Sequence, residues 1–310
     1  MNFFESSTNH QNNQSLDEKE LWKRVKEIEL KTLKLVSEMF GGEYRSAFKG
    51  KGLDFKELKD YEQGDDPRHI DWRVSVKRGS LHVKKFTEER ELTLLIALDV
   101  SNSTLFGSNS QLKREVAIEL CASIAFSGMK NNDRIGLILF SDSVLKFIPP
   151  KKGKTHTIKI LKEIISYAYT FHDSPKTDIN VVLTTIQKYF KRKVTAFIVS
   201  DFLSDDFSQN LKLTTYKHDI INVVLEDPIE SNIPDIGLVE FQDPETEIRY
   251  LLDTSDKKVM KKFNEYIQNR KNNLYELLKK NKSDKILINT EESYIIPLNN
   301  FFKFREKRFR

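Results

Sequence analysis

Leu92-Thr93-Leu94-Leu95-Ile96-Ala97-Leu98-Asp99-Val100-Ser101-Asn102-Ser103 decides how this chain is read. Its first half is an unbroken apolar run of strand length, which suits a strand covered on both faces. Its second half turns polar at once, with a carboxylate and two hydroxyls on alternate positions. Asp99, Ser101 and Ser103 therefore stand in a loop at the carboxyl end of a buried strand. An oxygen-rich cluster of that kind suits a hard divalent cation.

Working outward, the same grammar recurs. Val194–Ser200 is a second apolar run, and it too ends in a carboxylate, Asp201. Strands are also expected at Arg134–Phe140, Ile220–Leu225 and Lys285–Ile288. Val144–Ile148 reads as a short hairpin partner stopped by Pro149-Pro150. Helical spacing appears over Gln111–Met129, Thr155–Tyr169, Ile179–Phe190, Asp206–Thr215 and Ser255–Lys280, and a last helix follows Tyr294. Strands alternating with helices predict an α/β fold: a doubly wound, mostly parallel sheet covered on both faces. Ligands of such sheets bind beyond the carboxyl ends of the strands, where strand order reverses.

The chain before Leu92 is less regular. Residues 1–15 are polar and expected to be disordered. Asp17 to Phe40 reads as an amphipathic helix ended by Gly41-Gly42. Residues 43–91 are charged and glycine-punctuated, so short strands and turns are expected there, with Phe55 and Trp72 as packed aromatic anchors. The organisation predicted is a tail (1–15), an N-terminal helix and extension (16–91), and an α/β domain with a basic C-terminal helix (92–310).

Composition bounds the function. The net charge is +5 over 310 residues, too mild to make nucleic acid the main partner. Much of the excess sits in Lys303, Arg305, Lys307, Arg308 and Arg310; the plain expectation is a frayed, solvated end, with peripheral membrane contact a minor alternative. Cys121 is the single cysteine, which leaves no intrachain disulfide and no cysteine zinc cage. No apolar stretch approaches the ~20 residues of a membrane span, and the amino terminus has no apolar signal core, so a cytoplasmic protein is expected.

If the strands ending at Asp99 and Asp201 are neighbours, their carboxylates stand about 5 Å apart and repel by roughly 3 kcal/mol at an effective dielectric near 20. A cation relieves that repulsion. A third loop, Lys176-Thr177-Asp178, adds a hydroxyl at a helix start, with Asp178 read as the helix-start charge. Two carboxylates and three hydroxyls make a small, weakly charged oxygen set, which favours Mg²⁺, with Mn²⁺ second, over Ca²⁺ or zinc. The competing local explanation is a turn or helix cap, since Asp and Ser favour both.

The spacing Asp99-x-Ser101-x-Ser103, then Thr177, then Asp201 resembles the metal-ion-dependent adhesion site of von Willebrand factor A domains. A more specific resemblance lies upstream. Gly50-Lys51-Gly52-Leu53-Asp54-Phe55, Leu58-Lys59-Asp60-Tyr61 and Gly64-Asp65-Asp66-Pro67-Arg68-His69-Ile70-Asp71-Trp72 are similar to bacterial proteins of unknown function commonly encoded beside MoxR-type AAA+ ATPases. That resemblance runs from about Tyr44 to the carboxyl end. It departs at Thr104, where the family often has Met, and at Lys176, where it often has Gly.

The resemblance implies a von Willebrand factor A-like sheet and a non-enzymatic binding module. Ser101, Ser103 and Thr177 would then ligate the cation directly. Asp99 and Asp201 would act mainly through water, and a partner's carboxylate would fill an open position. It also implies coupling of a MoxR-type AAA+ ATPase to a client protein. The alternative function is a metal-dependent hydrolase or phosphatase using the same cluster, which needs a nucleophile or general base beside the metal. Gly153-Lys154-Thr155 is not a phosphate-binding loop, because Ile148 stands where that loop requires glycine. The Asp65–Arg78 segment reads as an ion-pair network around a turn with Trp72 packed inward, or else as a docking surface for the ATPase.

Overall fold

The computed structural model describes residues 17–39, 44, 47–48, 54–87, 91–105, 112–169, 176–231, 233–242 and 249–309. The expected tail, the Gly41-Gly42 stop and the Gly50-Lys51-Gly52 motif lie outside the described residues.

The chain begins with α1 (Glu18–Met39), β1 (Asp54–Asp60), a 3₁₀ turn (Pro67–His69), α2 (Trp72–Arg78) and β2 (His82–Thr87). Next come β3 (Thr93–Asp99), α3 (Lys113–Lys130), β4 (Arg134–Phe140), β5 (Val144–Lys151) and α4 (Lys154–Tyr169). These are followed by α5 (Ile179–Tyr189), β6 (Thr195–Ser200), α6 (Ser208–Thr215), β7 (Asp219–Glu226) and the short α7 (Pro228–Ser231). A hairpin, β8 (Leu238–Gln242) and β9 (Arg249–Asp253), precedes α8 (Lys257–Lys280), β10 (Asp284–Asn289) and α9 (Ile295–Phe309).

Six strands form the central sheet in the order β10-β7-β6-β3-β4-β5. All pairs are parallel except β4 with the edge strand β5. The chain winds outward from β3 through β4 in one direction and from β6 through β7 to β10 in the other. This is the doubly wound sheet expected from the sequence, and its switch point lies between β3 and β6.

Both faces of the sheet are covered, which explains the unbroken apolar strands. Leu94, Ile96 and Leu98 join the core under α1, α3, α4 and α9, while Leu95 and Ala97 join the core under α5, α6 and α8. Each fully buried aliphatic side chain contributes about 1.5–3 kcal/mol, so β3 alone anchors the fold from both sides. Gly136 on β4 is small for a reason. A Cβ there would meet Pro150 Cγ at 2.8 Å and the Ile148 carbonyl at 3.1 Å across the β4–β5 pair. Gly136→Ala is expected to cost about 1–3 kcal/mol through overpacking, read as a lower urea midpoint with an unchanged slope.

Three expectations are corrected. Pro149 and Pro150 do not stop β5, which runs on to Lys151; prolines are tolerated there because β5 is an edge strand. Trp72 is not packed inward: it is 63% exposed. α2 has a single inward stripe, and its buried residue is Ser75, whose hydroxyl accepts the His82 amide at 2.8 Å. The basic end is not frayed through its length. Arg305 is buried on α9, bridging Asp219 (2.6 Å) and Asp284 (2.9 Å) and lying over the rings of Phe48 and Phe301.

Candidate functional site

The parallel register pairs Leu98 with Val199, so the next step of each strand brings Asp99 beside Ser200. Ser200 donates to Asp99 Oδ2 at 2.6 Å and accepts the Phe202 amide at 2.9 Å. Ser200 carries no motif signal in the sequence, yet it is the residue facing Asp99 across the switch point. Asp201 sits one residue further. Phe202, next in line, has φ 56°, a left-handed conformation rarely adopted by a bulky side chain and often associated with functional sites.

Four of the five expected residues are joined by hydrogen bonds, and the fifth, Asp201, is close enough for its charge to act on Asp99. Asp99 Oδ1 accepts the Ser101 amide at 2.9 Å, and Thr177 donates to Asp99 Oδ2 at 3.0 Å. Ser101 Oγ lies 3.0 Å from Ser103 Oγ and 2.9 Å from Thr177 Oγ1. All five side chains are buried. Thr177 is held by a bridge to Ser204, while Asp178 caps α5 by accepting the Asn180 amide at 2.9 Å. The expected helix-start role of Asp178 is thus what the structure has.

Electrostatics single out two groups. Burial, and then the Asp201 carboxylate, raise the Asp99 carboxyl to about 6. Asp201 Oδ1 accepts the Leu203 amide at 3.1 Å, but its buried Oδ2 has no hydrogen-bond partner. Among the described residues the cation within ion-pair distance is Lys113, whose Nζ lies 3.5 Å from Asp201 Oδ2, too long for a hydrogen bond. Lys113 is itself fully buried and pairs with Glu230 at 2.5 Å. No local pattern in the sequence points to this pairing of Lys113, the first residue of a helix buried over most of its length. Lys176, where the resembled family often has Gly, is exposed.

Among the described residues no three His, Cys, Asp or Glu side chains gather at one point, so any cation here must rely on hydroxyl oxygens. The donor set fits such a cation. Ligands of Mg²⁺ at about 2.1 Å stand about 3.0 Å apart along an octahedral edge, and the hydroxyl spacings are 2.9 and 3.0 Å. Hydrogen-bonded hydroxyls share that spacing, so the discriminating feature is the orphaned Asp201 oxygen. Beside the cluster opens a cavity of about 440 Å³ touching Ser103, Asp201 and Glu230, with apolar walls from Phe202, Val224 and Leu274.

Fold and site together define a doubly wound α/β protein with a buried carboxylate–hydroxyl cluster at its switch point. Residues 57–273 match the family described as "Protein of unknown function DUF58", and the chain belongs to that family. It is similar to the uncharacterized proteins Rv1480 of Mycobacterium tuberculosis and Mb1516 of Mycobacterium bovis. Each is 26% identical over 235 residues, covering 74% of this chain and 73% of the relative. Among solved structures it is similar to the conserved hypothetical protein BatB from Bacteroides thetaiotaomicron, with 15% identity, 70% of this chain, 99% of that one and a TM-score of 0.45. It is also similar to the SpRpn10 VWA domain, with 10% identity, 68% of this chain, 95% of that one and a TM-score of 0.39. Among the described residues no helix is long and apolar enough to cross a membrane.

Proposed function

We propose that this chain is a non-enzymatic protein-interaction module that holds Mg²⁺, or else Mn²⁺, on Asp99, Ser101, Ser103, Thr177 and Asp201. The bound cation would supply a Lewis-acidic position open to a partner's carboxylate. The supporting observation is the pairing of three converging hydroxyls with a buried carboxylate oxygen that lacks a hydrogen bond. Asp99 supports the set from behind. By accepting the Thr177 hydroxyl proton, it leaves the lone pairs of Thr177 Oγ1 available to the cluster, while the Ser200 hydroxyl, which also donates to Asp99, is taken by the Phe202 amide. Ser101, Ser103 and Thr177 would touch the ion, and Asp99 and Asp201 would act mainly through water. The adjoining apolar cavity offers room for a side chain of the same partner.

The partner in this reading is a MoxR-type AAA+ ATPase acting on a client protein in the cytosol, a reading supported by the sequence resemblance around Gly64–Trp72. Calorimetric titration with Mg²⁺ tests the site. Wild type is expected to bind at millimolar concentrations or tighter, and Thr177→Ala and Ser101→Ala to lose at least about tenfold in affinity, the loss typical of disturbed metal shells. Purified ATPase should be retained by wild type with Mg²⁺ and released by chelator. No binding heat in wild type, or equal affinity in Thr177→Ala, rejects the metal site.

A further inference from the structure

The segment Asp65–Leu81 plays no part in the cation cluster, yet it is built with care. Asp66 caps the 3₁₀ turn and pairs with Arg68. Asp71 caps α2 by accepting the Val74 amide at 3.2 Å and pairs with Lys84 at 3.1 Å. Gly79 closes the helix at φ 74°, and Tyr61 donates its amide to the Leu81 carbonyl at 2.8 Å. A short helix so tightly fixed would normally bury its large side chains. This one presents them: Trp72 is 63% exposed, Val76 83% and the following Leu81 45%.

Trp72 and Val76 are one turn apart and so share a face of α2, with Arg73 and Lys77 as the neighbouring pair at the same spacing. Neither Arg73 nor Lys77 has a carboxylate within ion-pair distance among the described residues, whereas Arg68 and Lys84 do. An exposed Trp on a tightly capped helix, flanked by cations without an ion-pair partner among the described residues, has the make-up of an interface anchor.

The surroundings indicate what it would bind. Asp60 and Glu62, their side chains 82% and 80% exposed, stand on the adjoining strand end and turn, where Asp60 lies 3.4 Å from His82 Nε2 and Glu62 lies 3.4 Å from Lys59 Nζ without being covered by either. A uniformly anionic surface, whether a lipid headgroup layer or a nucleic-acid backbone, would meet those carboxylates as it met Arg73 and Lys77. A protein segment can place its own charges one by one and avoid that conflict. We infer that the Trp72–Val76 face of α2 is a docking site for an acidic, apolar segment of a partner protein, its apolar side chains covering Trp72 and Val76 and its carboxylates meeting Arg73 and Lys77. This surface is separate from the cation cluster and does not depend on it.

The test is selection of displayed random short peptides on wild-type protein, with counter-selection on W72S. The expected consensus joins aromatic or aliphatic residues with two or more Asp or Glu. Synthetic peptides of that consensus should lose at least about tenfold in affinity on W72S and on R73E/K77E. Peptides with Lys in place of their acids should regain binding to R73E/K77E. In W22F, which leaves Trp72 as the sole tryptophan, the acidic peptide should shift Trp72 emission to the blue. Melting temperatures of W72S and wild type should agree, since Trp72 is outside the core. The inference is overturned if no sequence is enriched in a Trp72-dependent way, or if enriched peptides are basic. It is equally overturned if anionic vesicles, duplex DNA or raised protein concentration alone shift the Trp72 emission. T177A should leave peptide binding intact, so failure of the cation site and failure of this surface are separately visible.

Discussion

Replacing Lys113 with methionine is expected to destabilise the fold by about 3 kcal/mol, near the low end of what removing one partner of a buried ion pair costs. Methionine keeps most of the aliphatic stem, so the loss is electrostatic. Without Nζ, the buried Asp201 carboxylate and the partly buried Glu230 lose the one cation that, among the described residues, stands within ion-pair distance of both. Glu230 is 32% exposed, which limits the penalty. It is also tied down, accepting the Asp227 amide at 3.2 Å, so it cannot simply swing away. Denaturant unfolding of K113M measures the loss. K113M/E230Q should recover part of it, because the second change removes one of the stranded charges. Under the proposed cation site, Mg²⁺ should raise the melting temperature of K113M more than that of wild type, since the ion takes over the role of the missing ammonium. A K113M protein within about 1 kcal/mol of wild type, a difference no larger than an ordinary point mutation makes, would show that this lysine does not balance the site.

Lys113 also shows where sequence reading stops. The parallel sheet was legible because strands buried on both faces must be apolar through their middles; β3, β4 and β6 are, and β7 is interrupted there only by the buried Asn222. Their carboxyl-end residues were legible for the same reason: Asp99 and Asp201 interrupt apolar runs at a strand end. Thr177 followed from chain order. Ser200 was hidden because a serine closing a strand looks like ordinary punctuation; only the Leu98–Val199 register puts it against Asp99. Lys113 and Glu230 were hidden because their partnership spans 117 residues and leaves no local pattern. Trp72 was misread for a different reason. Aromatic burial is the general tendency, and on a helix of seven residues only the phase set by its caps decides which side chains face inward. The β8–β9 hairpin was missed because its strands are short and pack as a separate two-stranded pair.

The second large effect lies at the opposite edge of the sheet. Asp133 opens β4 and accepts the Leu92 amide at 2.9 Å and the Tyr44 hydroxyl at 3.0 Å, so it ties the entry of β3 to the residues before it. Burial lifts its carboxyl to about 6, against the pull of those two hydrogen bonds. The folded state therefore takes up this proton at higher pH than the unfolded chain, whose carboxyl sits near 3.8. Stability from this group is fully present below about 3.8 and is lost as pH rises through about 6. A shift of about two units corresponds to about 2–3 kcal/mol. Asp133→Asn keeps an oxygen for the Leu92 amide, gives Tyr44 an N–H donor, and cannot ionise. It is expected to be more stable than wild type by about 2 kcal/mol at neutral pH. That advantage should shrink steadily as pH falls through the window between the two carboxyl values and vanish below it. Paired thermal melts across that range decide the matter. A constant difference between variant and wild type, or a less stable variant at neutral pH, would mean that Asp133 is held comfortably as the anion and that its two donors outweigh its burial.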